Sequence, residues 1–295
     1  MKETLLLIDG FNLLSRCYFA TSYGREEVDL PRNSQGLYIN ALKVTLQKIL
    51  QLSRQYATTH IVVAWDVKRN ETKRRDIYSD YKGTRGELPD PLIQQYETLR
   101  EFFDCVGVSQ VSVDFYEADD VIGVFSARWS EEKEQDCFIY SNDRDLLQLL
   151  NQHVSQIIAM KRIGEIVYTA DDFQHEYDIS PKQWIDVKAL LGDKSDNIPG
   201  VPGVGEKAAL PLIQQYESIE NLYKNLVHLD STFKRYKKKL EEGEELAYLS
   251  KQLVEIETNL DILNKMSWEE LRFVYDRQRW IDEIERLELN IMLPA

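Results

Sequence analysis

Three short apolar runs, residues 4–8, 61–65 and 137–141, each deliver an aspartate at or just beyond the carboxyl end: Asp9, Asp66, and Asp143 with Asp145. Runs this short, rich in Leu, Ile and Val, read as strands buried on both faces. Helix-like segments lie between them, over 11–20, 37–55, 92–104 and 118–129, with a weaker strand candidate over 106–113. Strands alternating with helices predict a parallel α/β sheet with helices on both faces. Residues 156–160 and 165–168, joined through Gly164, add a hairpin at its edge. Functional groups in such a sheet gather beyond the carboxyl ends of the strands, so the aspartates are expected along one edge. A lone aspartate there is an ordinary turn former or helix cap. Three converging ones point to chemistry.

More acids join them. Glu117-Ala-Asp-Asp120 opens the helix after the weaker strand, with Glu117 and Asp120 on one face and Asp119 turned away. Favourable interaction with the helix dipole explains one or two such acids, but three less well. Asp193 and Asp196 sit three apart in a glycine-rich stretch. Crowded carboxylates repel one another and need cations. Neither His nor Cys joins the set of Asp9, Asp66, Glu117, Asp119, Asp120, Asp143, Asp145, Asp193 and Asp196, so an all-oxygen site for Mg²⁺ or Mn²⁺ is expected. Two such ions about 4 Å apart suit phosphodiester hydrolysis.

After about residue 178 the pattern becomes helical. Residues 181–191 predict a helix with Pro in its first turn. The run Ile198-Pro-Gly-Val-Pro-Gly-Val-Gly-Glu-Lys207 then has the pattern of a helix–hairpin–helix. Its Gly200, Gly203 and Gly205 let backbone N–H groups approach a phosphate, with Val204 between them and Lys207 alongside. Such contacts ignore base sequence. The expected organisation is a catalytic domain over 1–178, a helical module over 179–262 and a helical tail over 263–295 that packs back on the core.

The net charge of −14 alone argues against a nucleic-acid partner. Two basic clusters run against it. Lys68, Arg69, Lys73, Arg74, Arg75, Lys82 and Arg85 lie in a segment carrying Gly83, Gly86, Pro89 and Pro91. Lys234, Arg235 and Lys237 to Lys239 precede four glutamates and read as a solvated helix face. Three widely spaced cysteines fit a reducing, cytoplasmic setting, and no run has the length of a membrane span or a signal peptide.

On Glu117-Ala-Asp-Asp-Val-Ile-Gly and Gly192-Asp-Lys-Ser-Asp-Asn-Ile-Pro-Gly-Val-Pro-Gly-Val-Gly-Glu-Lys-Ala, the chain resembles the 5′-3′ exonuclease and flap endonuclease family, including the 5′-nuclease domain of bacterial DNA polymerase I, over roughly residues 5–262. The resemblance implies a PIN-like fold with a helix–three-turn–helix module, here as a free-standing protein. It implies a two-metal centre on all nine acids, with Asp9, Asp66, Glu117 and one of Asp119 or Asp120 on the first ion and the others on the second. K⁺ at the hairpin is a further implied ion.

The resemblance also implies an arch, over about 67–91, through which a single-stranded 5′ end passes. Tyr81-Lys-Gly-Thr-Arg85 matches the arch motif, with Lys82 near the scissile phosphate and Tyr81 stacking on a base. Arg74 and Arg16 match family basic residues near the phosphate. Departures are Lys73 and Trp65 where Phe is common, Phe115-Tyr116 for Gly-Val, and Asn142 for Gly.

The expected activity is Mg²⁺-dependent hydrolysis of DNA with a 5′ flap or free 5′ end, and of RNA–DNA hybrid, by a monomer in primer processing and repair. Asp120→Ala is expected to abolish cleavage and spare DNA binding. Two other readings are a junction binder without catalysis and an RNase of the same fold. A carboxylate cluster would only repel the ligand of a pure binder, and the hairpin favours duplex DNA.

Overall fold

The computed structural model describes residues 2–68, 71–84 and 86–293. Six strands, β1 (Leu5–Asp9), β2 (His60–Ala64), β3 (Ser109–Val111), β4 (Cys137–Tyr140), β5 (Val154–Met160) and β6 (Gly164–Tyr168), form one sheet in the order β3-β2-β1-β4-β5-β6. All pairings are parallel except β5 with β6, the hairpin at the edge. The weaker candidate shrinks to three residues because the preceding helix runs on to Val106 and ends on Gly107, at φ 73°.

Side-chain alternation in β1 separates two cores. Leu6 and Ile8 join a cluster under α1 (Gly10–Ser22), α2 (Asn40–Gln55) and α4 (Asp90–Val106), while Leu5 and Leu7 join one under α5 (Ala118–Glu132). A short helix α3 (Lys73–Ile77) leads into the segment above the sheet edge. Beyond β6 come α6 (Ala170–Tyr177), α7 (Trp184–Leu191), α8 (Glu206–Tyr216), α9 (Ile219–Lys224) and α10 (Lys237–Val254), which enclose their own core. The segment expected to be helical from Pro181 opens as a 3₁₀ turn and becomes α-helical at Trp184. The last helices are α11 (Asp261–Asn264) and α12 (Arg277–Arg286), and Trp280 of α12 is fully buried against Phe102 of α4. No described helix is long and apolar enough to cross a membrane.

The strand order creates a switch point beside β1: the chain moves from β1 to β2 on one side and returns to β4 on the other. In register, Asp9 lies beside Ala64, and Ile8 beside Tyr140. Asp9, Asp66 and Asp143 therefore emerge from one edge. Asp9 also caps α1 by accepting from Asn12 N at 3.0 Å.

The loop carrying Asp193 and Asp196 is pinched shut by two glycines. Gly192 and Gly200 both have positive φ, and a Cβ on Gly200 would lie 2.5 Å from Gly192 N. Backbone bonds Asp193 N–Ile198 O (3.0 Å) and Ile198 N–Asp193 O (2.7 Å) close it. Gly200→Ala combines left-handed strain of about 1–2 kcal/mol with a backbone clash, so it should destabilise the protein by about 2–4 kcal/mol in chemical denaturation. A change below about 0.5 kcal/mol would show that the pinch is unimportant.

Candidate active site

The acids fall into three groups distinguished by their counter-charges. Asp9, Asp119 and Asp143 form the first, with Asp66 beside them. Asp9 has its oxygens bonded to Asn12 N and Ser141 Oγ, Asp66 accepts from Ala118 N, and Asp143 from Asp145 N. Among the described residues, none of Asp9, Asp119 or Asp143 makes an ion pair. Burial, then repulsion from Asp66 and Asp143, raises Asp9 to about 7. Burial, then Asp143 and Asp9, pushes Asp119 well above its ordinary value.

The second group is held by Arg74, Tyr81 and Lys82, from the chain between β2 and α4. Asp120 closes a capping box with Glu117 and accepts both terminal nitrogens of Arg74, at 2.7 and 2.8 Å. It also accepts from Glu257 N. Glu117 accepts from Arg74 (3.3 Å), Tyr81 Oη (2.9 Å) and Lys82 Nζ (2.8 Å). Lys82, at φ 53°, places its ammonium 3.8 Å from Asp196, and its backbone N bonds Asp196 O. Burial would lower the Lys82 pKa, but Glu117 and Asp196 outweigh it and raise it. The third group is Asp145 and Asp193, bridged by Lys188.

Three sequence-based roles change in this arrangement. Arg74 is buried with its five N–H donors spent on Asp120, Glu117 and the carbonyls of Leu253 and Glu255, so it ties the arch to α5 and the end of α10 and does not face a phosphate. Tyr81 is buried, its hydroxyl on Glu117, and presents no face for a base to stack on. Asp120 is saturated by protein donors, which makes Asp120→Ala a poor probe of metal binding: it would also strand the buried Arg74, at a cost of about 3–5 kcal/mol.

Arg16 lies over the Tyr140 ring with one buried guanidinium nitrogen lacking a hydrogen-bond partner. Arg85 lies outside the described residues. A cleft of about 820 Å³ opens beside the acids, with Asp66, Glu117, Lys68, Arg75 and Lys82 on its polar side and Phe11, Leu88, Ile93 and Tyr96 as an apolar wall. No local pattern marks that wall, because its residues come from α1, α4 and the segment between.

At the hairpin, Gly203, Gly205 and Lys207 are exposed, and Gly205 opens α8 without a side-chain cap, leaving first-turn N–H groups for a phosphate. Val204 contributes differently: its side chain sits in the module core and its N–H bonds Val201 O. Lys239 reaches back to Gly203 O at 3.2 Å, so the second basic cluster adjoins the hairpin and is not merely a distant solvated face.

Among the described residues, no three of the acids form a preassembled ligand shell. The protein's own cations occupy the second and third groups. The first group is all oxygen and crowded, with Asp9 and Asp119 pushed above the ordinary carboxylate range, which is the donor chemistry that accepts a hard divalent cation.

Ligation requires deprotonated carboxylates. Asp9 at about 7 and Asp145 at about 6, the latter raised by burial and Asp143, would release protons on binding a metal. Mn²⁺ affinity should therefore rise between about pH 5.5 and about pH 7.5 and level off above. The metal-free folded protein keeps a proton on Asp9 that the unfolded chain, at 3.8, gives up, so this group lowers metal-free stability as pH rises from about 4 to about 7. Calorimetric titration across pH reads the affinity; a flat profile would contradict the clustering.

The chain matches the family model described as 5′-3′ exonuclease, N-terminal resolvase-like domain, over residues 4–178, and that described as 5′-3′ exonuclease, C-terminal SAM fold, over 179–277. It is 54% identical over 292 residues to a 5′-3′ exonuclease of Halalkalibacterium halodurans, covering 99% of this chain and 96% of that protein. It is 37% identical to DNA polymerase I of Streptococcus pneumoniae over 88% of this chain, which is 29% of the polymerase. A zinc-bound T5 5′-exonuclease superposes with a TM-score of 0.69 at 22% identity, covering 96% and 99% of the two chains. Flap endonuclease-1 of Methanococcus jannaschii superposes at 0.59 and 17% identity, covering 98% and 88%, and these two likenesses speak to the fold. With matched models from residue 4 to residue 277 and a relative this similar along its whole length, the chain belongs to the 5′-3′ exonuclease family.

Proposed function

We propose that this chain is a structure-specific 5′ nuclease that hydrolyses DNA phosphodiesters near a single-strand/duplex junction, with Mg²⁺ or Mn²⁺ held first by Asp9, Asp66, Asp119 and Asp143. The observation that carries the proposal is that these acids share one sheet edge, none of Asp9, Asp119 and Asp143 pairs with a described cation, and they open beside a cleft walled by Lys82 and Tyr96. A divalent ion there supplies neutralising charge and a more acidic attacking water.

The chain's own residues do the rest. Exposed Gly205 and Lys207 hold duplex backbone, independent of base sequence. Lys82, released from Glu117, carries a positive charge to the scissile phosphate; Glu117 would be one of the carboxylates available to hold a divalent ion, which would lower the cost of that release. Arg16 offers its unpartnered nitrogen to a neighbouring phosphate oxygen. The apolar wall of Phe11 and Tyr96 accommodates a nucleotide displaced from the duplex. The metal-bearing domain at residues 1–178, the module at 179–262 and the tail at 263–295 are assigned accordingly. Processing of primers and repair intermediates in the cytoplasm by a monomer fits this chemistry.

A 5′-flap DNA, an RNA–DNA hybrid and single-stranded RNA, each incubated with Mg²⁺ or EDTA, test the proposal. Cleavage of flap DNA should require the metal. Asp119→Asn and Asp143→Asn should each lower turnover at least about 10³-fold with DNA affinity within a few-fold, and Lys82→Ala should lower it about 10²-fold. Full activity in EDTA, or in either carboxylate variant, would overturn it.

A further inference from the structure

One largely enclosed cation among the acids has no part in the mechanism. Lys188 stands in the last turn of α7, its side chain only 11% exposed, with Nζ 2.8 Å from Asp145 Oδ1 and 2.7 Å from Asp193 Oδ2. The two carboxylates come from different parts of the fold: Asp145 from the turn after β4, Asp193 from the pinched loop of the helical module. Asp193 has little left to offer. Its other oxygen accepts Ser195 N at 2.8 Å, Ser195 Oγ at 2.6 Å and Asp196 N at 3.3 Å. These bonds show in its acidity: burial opposes ionisation, but Lys188 and Ser195 outweigh it and hold Asp193 at about 2.

A divalent ion bridging Asp145 and Asp193 would approach each oxygen to about 2.0–2.1 Å for Mg²⁺. It would need the space and the oxygens that the ammonium now uses, and two cations cannot share them without strong repulsion. Asp9, Asp119 and Asp143 form no ion pair with a described residue, whereas Asp145 and Asp193 have a cation at hydrogen-bond distance from both.

We propose that Lys188 is the resident counter-ion of the second carboxylate group, so that the first divalent ion binds freely but the second must displace the Lys188 ammonium from Asp145 and Asp193. Lys188 is thus a positioning residue that sets how tightly and in what order the metals bind. This rests on the metal-dependent reading above. It deepens that reading by making the two ion positions unequal in the DNA-free protein.

Titration of DNA-free protein with Mn²⁺, followed by calorimetry and by the electron paramagnetic resonance signal of free Mn²⁺, tests it without relying on activity. The wild type should bind one ion, with any second at least about tenfold weaker. Lys188→Met, which keeps the length of the side chain and removes the charge, should tighten the second ion at least about tenfold. Lys188→Arg should behave as the wild type. A purely structural role predicts instead that the Met variant loses the second ion or binds as the wild type does, and either result overturns the proposal. If the Met variant fails to fold, Lys188→Gln carries the same criterion. No Mn²⁺ bound by the wild type but one by the Met variant would support Lys188 as counter-ion and sink the metal-dependent reading. No ion in either sinks both.

Discussion

Repulsion among carboxylates at the carboxyl edge of the sheet is the constraint around which this molecule is built. Strand geometry makes it unavoidable: a parallel sheet with β1 between β2 and β4 puts Asp9, Asp66 and Asp143 on one edge. The fold offsets part of that repulsion with cations from elsewhere. Arg74 and Lys82 come from the segment before α4, and Lys188 from the helical module. Arg74 and Lys82 are buried and Lys188 nearly so, and each holds two parts of the chain together. Such pairs are costly to break, though not themselves a large source of stability.

Those contacts couple architecture to chemistry. The segment carrying Arg74 and Lys82 is fastened by Arg74 to the carbonyls of Leu253 and Glu255, by Lys82 N to Asp196 O and by Asn197 Nδ2 to Asp80 O. A small apolar cluster of Tyr81, Ile185, Ile198, Leu253 and Val254 packs beneath it. The segment that would handle a displaced strand therefore touches the module that would hold the duplex. Glu117 sits at the meeting point, bonded by Arg74, Tyr81 and Lys82 at once. Any ion or phosphate reaching Glu117 would compete with three protein donors, Arg74, Tyr81 and Lys82.

Much of this was legible in the sequence. Short apolar runs ending in aspartate gave the parallel sheet and its functional edge, because strand period and burial are local properties. The spacing of Gly200, Gly203 and Gly205 marked the turn, since Gly200 and Gly203 take positive φ that other residues enter only with strain. What stayed hidden was pairing over long sequence distance. Lys188 reads as an ordinary basic residue in the last turn of a helix, and nothing local shows that Asp145 will meet it. Arg74 reads as a phosphate ligand until its five donors are seen to be taken. The apolar wall of Phe11, Leu88, Ile93 and Tyr96 has no sequence period, because it is assembled from three separate segments.

Anomalous diffraction from DNA-free crystals grown in Mn²⁺ tests the central claim most directly, because it locates the ion among the acids. A strong peak is predicted within coordination distance of Asp9, Asp119 and Asp143, with Lys188 still between Asp145 and Asp193. No peak at the sheet edge, or one at Asp145 and Asp193 alone, would contradict the account.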